Sequence, residues 1–143
     1  GGLIAGVAVA VRAANPPARV IGVQPEASPA AYLSFRDGRV YETYDAGPTM
    51  CDGLAGGFGR VSFEIARDLV DEVLVVPEAD VRDAVRWLLE HEQLVVEGSG
   101  AIAVAPLLNG QLDTAGQVVA VLTGRNLDAA LLAEILAESN ARS

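Results

Sequence analysis

The sequence predicts an α/β protein, three-layered, with a mostly parallel sheet covered by helices on both faces. Three observations predict it. The strand-like runs RVIGVQ (19–24), EVLVV (72–76) and QVVAVL (117–122) are apolar through most of their length, the pattern of strands buried on both faces. Stretches with helical spacing or small apolar composition separate them. Hydrophobic residues make up 51% of the 143 and charged residues 20%, a balance that suits a packed globular chain and excludes disorder. No repeat or linker interrupts the alternation, so residues 1–143 read as one domain or a large piece of one.

Each element has its own justification. Residues 3–14 (LIAGVAVAVRAA) are small and apolar and predict a buried helix. Asn15-Pro16-Pro17 ends it, because proline cannot continue a helix and restricts the residue before it. Residues 19–24 form the first strand, closed by Pro25. Residues 28–36 predict a helix, with Asp37-Gly38 as a turn signal. Residues 47–59 are glycine-rich and predict a loop. Residues 61–70 have helical spacing through Val61, Ile65 and Leu69. The strand at 72–76 leads to the clearest amphipathic helix, 80–92, with Val81, Val85, Leu88 and Leu89 on one face. Glu78 near its start suits the helix dipole. Residues 98–109 predict another buried helix ending at Asn109-Gly110. The run 117–122 predicts a third strand. A last helix opens at Asn126 or just after it and carries Leu131, Leu132, Ile135 and Leu136 on its apolar side.

Charge and cysteine usage narrow the function. The net charge of −9 repels phosphate backbones and anionic lipid, which excludes nucleic-acid and membrane-surface binding. The apolar run beginning at Leu3 stops at Arg12, short of the about 20 residues of a membrane span. The single cysteine, Cys51, cannot close an internal disulfide, which is compatible with a reducing setting, and a cytoplasmic protein is expected. All ten basic residues other than His91 are arginine; there is no lysine. Chemistry that needs a lysine Schiff base must take that lysine from another segment.

Several places could carry chemistry. Gly1-Gly2-Leu3 opens directly into a helix. Glycines let a backbone approach a phosphate, and a helix N-terminus offers free N–H groups and a positive dipole; a plain turn fits the same residues. Thr123-Gly124-Arg125-Asn126 follows the third strand, where a hydroxyl can meet a ligand at a strand's carboxyl end or cap the next helix. Glu97-Gly98-Ser99-Gly100 sets a carboxylate before a glycine-flanked helix start, either for a ligand or as a solvated acid. Cys51 in Cys51-Asp52-Gly53-Leu54 reads as a small buried hydrophobe, and His91 as a surface residue near a helix end. Metal-ligand spacing of Cys and His is absent.

Taken in order, GGLIAGVAVAVRAANPPARVIGVQPE, MCDGLA, ARDLVDEVLVVPEADV, LVVEGSGAIAVAPLL and VVAVLTGRNLD resemble the later part of the serine/threonine dehydratase family. That family holds threonine ammonia-lyases and serine racemases, pyridoxal-phosphate enzymes of the tryptophan-synthase-β fold, fold type II. The resemblance covers nearly the whole chain. It implies that residues 1–143 are the C-terminal portion of the catalytic domain, with the cofactor's lysine in an earlier portion. It implies pyridoxal 5′-phosphate as cofactor, a small hydroxy amino acid as substrate, and a homo-oligomer. Gly1 and Gly2, followed by Leu3, match the end of the glycine run that wraps the cofactor phosphate. Gly53 matches a glycine beside the cofactor. Glu97 matches the carboxylate of the family's V-E-G-A-G-A stretch. Thr123 takes the place of the hydroxyl residue, usually serine, that meets the pyridine nitrogen.

The implied reaction is removal of the α-proton by the released lysine, loss of the β-hydroxyl, and hydrolysis to a 2-oxo acid and ammonia. No catalytic residue of this chain is implied, and the chain alone is expected to be inactive. Arg125 departs from the small residue usual after Thr123-Gly124. Gln24 and Ala30 stand where metal-binding members carry acidic residues, so no divalent-cation site is expected. An end at Ser143 would imply a catabolic type without an appended regulatory domain. Two other readings remain: a β-replacement enzyme of the cysteine or threonine synthase type, and a non-catalytic binding module that kept the fold.

Overall fold

The structure, a computed structural model, describes residues 1–139 apart from 16 and 114. The fold is α/β. In chain order it has α1 (Gly2–Ala14), β1 (Ile21–Pro25), α2 (Ala30–Asp37), α3 (Arg60–Ala66), β2 (Glu72–Val76), α4 (Glu78–Glu92), α5 (Gly98–Ala101), α6 (Ala105–Leu108) and α7 (Ala129–Ser139), with single 3₁₀ turns at Asp52–Leu54 and Ile102–Val104. β1 and β2 pair in a parallel sheet. The chain divides into two compact units: Gly1–Thr49 with Leu54–Val75, and Met50–Gly53 with Val76–Ser143.

In the first unit α1 packs against α3. Ala5, Ala8, Phe63, Ala66, Val70 and Val73 belong to its core. Phe35, Phe58 and Phe63 add three mutually inclined rings, with centroids 5.7 to 6.5 Å apart. Such pairs contribute about 0.5–1.5 kcal/mol each beyond the area they bury. One ionic knot ties the entry of β1 to the entry of β2. Asp71 Oδ2 accepts from the Val20 N–H and from Arg12, each at 2.6 Å, and Arg12 also donates to the carbonyls of Ala18 and Leu69. The Val20 N–H first, and then Arg12, hold the Asp71 carboxyl below the usual carboxylate range.

Two buried serines pin the loops. Ser34 Oγ donates to the Ala30 carbonyl and accepts from the Tyr41 N–H. Ser28 Oγ exchanges hydrogen bonds with the backbone of Gly56, whose φ of 105° is open to glycine alone at no steric cost. Gln24 is buried, and its Oε1 accepts from the N–H groups of Ala31 (2.7 Å) and Tyr32 (3.1 Å). It therefore caps α2 from outside the helix, satisfying two donors that have no intrahelical partner.

In the second unit α4 is the central element. It buries Val81, Ala84, Val85 and Leu88, the face its spacing predicts, with Leu89 half-buried. Asn109 Nδ2 donates to Asp80, and Arg82 is paired with Glu134 and Glu138 of α7. Ile135 of α7 is fully buried.

Four expectations need correction. The run 117–122 forms no strand. A strand exists only through a hydrogen-bonded neighbour, and the backbone of 117–122 has none among the described residues; Val119 is 80% exposed. Helix α1 is not buried all round: it buries only Ala5 and Ala8 and leaves Leu3 and Val9 exposed. Apolar composition fixes no direction when every face is apolar. On α3 the buried residues are Phe63 and Ala66, while Val61 and Ile65 face out, because the aromatic cluster sets the helix's rotation. The predicted helix at 98–109 is three short pieces, since Pro106 donates no backbone N–H for a continuous ladder. Pro16 of the Asn15-Pro16-Pro17 stop lies outside the described residues; α1 ends at Ala14, with the Asn15 N–H bonded to the Val11 carbonyl.

Replacing Gln24 by Ala leaves two N–H groups of α2 without an acceptor and is expected to lower stability by about 1–3 kcal/mol. Gln24→Glu, which keeps the acceptors, is expected to stay near the parent; urea midpoints read both. A carboxyl whose folded pKa is depressed stabilises above its unfolded value, and the contribution fades as pH falls through the folded one. Asp71→Asn should thus be the less stable protein near neutral pH, and the gap between the two midpoints should close as pH falls below the ordinary carboxylate range. A gap independent of pH would contradict the role given to the Asp71 charge.

Candidate functional site

Of the six residues assigned to the cofactor, Gly1, Gly2 and Leu3 belong to the first unit and Gly53, Glu97 and Thr123 to the second. Helix α1 begins at Gly2 with Gly1 as its N-cap, and no side chain caps it. The first-turn N–H groups of Gly2, Leu3 and Ile4 have no acceptor among the described residues. A Cβ on Gly2 would meet nothing within 4 Å, whereas one on Gly1 would overlap the Phe58 ring. Bare donors, a helix dipole and open space in front of Gly2 are what a phosphate dianion requires. Leu3 is 61% exposed.

In the second unit the fold brings Glu97 together with the 123–126 loop. The Glu97 N–H donates to the Gly124 carbonyl at 3.0 Å, and its Oε2 accepts from the Asn126 N–H at 2.9 Å. The Glu97 carbonyl accepts from Gly100 and Ala101, starting α5. Glu97 is thus a brace between two loops, a more specific role than a solvated acid. The approach leaves no room for side chains: a Cβ on Gly124 would overlap the Glu97 carboxylate, and one on Gly100 would lie 3.0 Å from the Gly124 carbonyl. Thr123 is exposed in this loop, and its hydroxyl has no protein partner among the described residues. It does not stand at the end of a buried strand, because 117–122 is not one.

Gly53 has its own neighbour. Its N–H donates to Ser99 Oγ at 2.9 Å, which fastens the Asp52–Leu54 turn to the start of α5. A Cβ on Gly98 would lie 2.7 Å from the Met50 carbonyl, so the same stretch stays close to Met50. Glu78 holds it from below, Oε2 accepting from the Met50 N–H. Sequence reasoning gave Ser99 no role, and its place between two glycines carries no signal for one. Phe58 carries no such signal either.

Cys51 is fully buried and forms no disulfide. His91 lies near the end of α4, stacked on Trp87 with ring centroids 4.9 Å apart. Arg125 is exposed and makes no ion pair among the described residues. Gln24 is engaged with α2, and no cluster of three or more His, Cys, Asp or Glu suited to a metal ion occurs among the described residues. No helix among them is long and apolar enough to cross a membrane.

Comparison with known proteins gives this arrangement a family. The profile of the family described as "Pyridoxal-phosphate dependent enzyme" matches residues 1–124. An L-threonine ammonia-lyase of Thermotoga maritima is 43% identical over 95% of the chain, which covers 34% of that relative. The catabolic L-threonine dehydratase of Escherichia coli K12 is 39% identical over 94% of the chain and 42% of that relative. Among solved structures, maize serine racemase superposes with a TM-score of 0.84 at 30% identity, over 99% of this chain and 45% of that one. The chain thus spans roughly a third to two fifths of the length of the curated relatives it matches. With a bare helix N-terminus after two glycines and a glycine-tight Glu97–Gly124 junction beside a free hydroxyl, the chain belongs to the pyridoxal-phosphate dependent enzymes, in the serine/threonine dehydratase family.

Proposed function

We propose that this chain is the C-terminal portion of a threonine/serine ammonia-lyase, which eliminates the β-hydroxyl of L-threonine or L-serine to leave a 2-oxo acid and ammonia. The observation that carries the reading is the 43% identity to an L-threonine ammonia-lyase over 95% of the chain, in a sequence without lysine. In this proposal the lysine belongs to a preceding portion. Bound pyridoxal phosphate would supply the electron sink that stabilises charge at the substrate's α-carbon.

The chain's own residues would do the rest. The N–H groups of Gly2 and Leu3 at the start of α1 would hold the phosphate, with Gly1 leading the backbone to it. Thr123 would offer its hydroxyl to the ring nitrogen. A hydroxyl is a weak partner and leaves that nitrogen largely neutral; a carboxylate would keep it protonated. Glu97 would keep the Thr123 loop in place through the Asn126 N–H, and Gly53 would let the backbone pass close beside the cofactor. The open backbone of 117–122 would pair with the lysine-bearing portion. A cytoplasmic, homo-oligomeric enzyme follows from the same resemblance.

The absence of lysine also favours a second reading, a module that keeps the fold without catalysis. One assay separates them. The purified 143-residue chain, mixed with pyridoxal phosphate and L-threonine or L-serine, is expected to form 2-oxo acid no faster than free cofactor does, because arginine cannot supply the amine. Adding the lysine-bearing portion should restore turnover. Activity of the chain alone would overturn the proposal, and no activity with the added portion would favour the module.

A further inference from the structure

We propose that Phe58 is a positioning residue for the phosphate-holding end of α1, a proposal that rests on the cofactor reading above. Phe58 lies far from Gly1 in sequence, yet its ring fills the volume that a Cβ on Gly1 would take, with Cζ at 2.7 Å and Cδ2 at 2.8 Å from that position. The ring is itself fixed. Phe58 is 4% exposed, its N–H donates to the Tyr41 carbonyl at 2.8 Å, and its ring packs on Phe35 and Phe63 with centroids 6.1 and 6.5 Å away. Gly1 is therefore glycine for a steric reason, and the backbone entering α1 is seated against a wall that cannot retreat without opening the aromatic cluster.

The consequence for binding is geometric. Hydrogen bonds to a phosphate weaken steeply with distance and angle. A wall behind the first residue fixes where the first-turn N–H groups point before any ligand arrives, and such pre-organisation raises affinity by sparing the cost of ordering. Phe58 touches neither ring nor substrate in this account; it acts on the phosphate end alone. Its loss should therefore be felt by a cofactor that carries a phosphate and ignored by one that does not.

The test uses the assembly of this chain with its lysine-bearing portion, stripped of cofactor and titrated with pyridoxal phosphate and, separately, with pyridoxal. Three variants are compared: Gly1→Ala, Phe58→Val, and the two together. Gly1→Ala is expected to weaken pyridoxal phosphate on the order of tenfold while leaving pyridoxal within about twofold. Phe58→Val should show the same selectivity and shift the phosphorus NMR resonance of the bound cofactor. The double variant, with space for the new methyl, should recover most of the Gly1→Ala loss.

Equal loss in Gly1→Ala and the double variant would overturn the proposal, as would equal loss for the two ligands. If Phe58→Val does not fold, Gly1→Ala decides alone: a phosphate-selective loss supports the proposal, and any other result overturns it. Unmutated protein that binds pyridoxal phosphate no more tightly than pyridoxal would overturn the phosphate reading itself, and this shows before any variant is made.

Discussion

Glu97 is where the second unit is tied together. One residue uses its N–H, its carbonyl and its carboxylate on four partners: the Gly124 carbonyl, the N–H groups of Gly100 and Ala101, and the Asn126 N–H. The arrangement closes only because Gly100 and Gly124 have no side chains at the crossing. Shape is thus set by backbone in contact with backbone, and the exposed hydroxyl of Thr123 is carried on that junction. Losing the carboxylate would release the loop from one end, whereas a methyl at Gly124 would push on the carboxylate itself.

The first unit is organised differently. Its hold is on side chains: an aromatic cluster, and a carboxylate, Asp71, that serves a backbone N–H and a guanidinium at once. Part of the cost of taking that charge from water is offset by two short charge-assisted hydrogen bonds. Its loops are held by buried hydroxyls whose donor and acceptor capacities are both used. Buried polar groups that are fully paired give a unique arrangement rather than extra stability.

The sequence made the local elements legible where one periodicity dominated. Helix α4 and strand β2 fall within two residues of expectation, because amphipathic spacing and a β-branched run each admit one structure. It was less legible where composition was uniform. Helix α1 is apolar on all sides, so nothing in LIAGVAVAVRAA says that Ala5 and Ala8 turn inward. The rotation of α3 is set by Phe35 and Phe58, which lie outside its own span. QVVAVL reads as a strand because its residues favour one, but pairing is a property of two segments, and 117–122 has no partner among the described residues. For the candidate site the assignments came from resemblance; spacing alone left Glu97 and Thr123 with two readings each. Ser99 and Phe58 act on residues far away in sequence, and that kind of information is absent from a single chain.

The backbone of 117–122, unpaired among the described residues, has a consequence for the protein in solution. An open row of donors and acceptors flanked by valines is a template on which another extended backbone can add. A second copy of the same segment meets that requirement. Self-association through this segment is therefore open to the chain in solution. Its charge of −9 opposes that association, since two copies repel each other. Acidity here acts against pairing of copies through an open backbone, and salt, by screening that repulsion, weakens the protection.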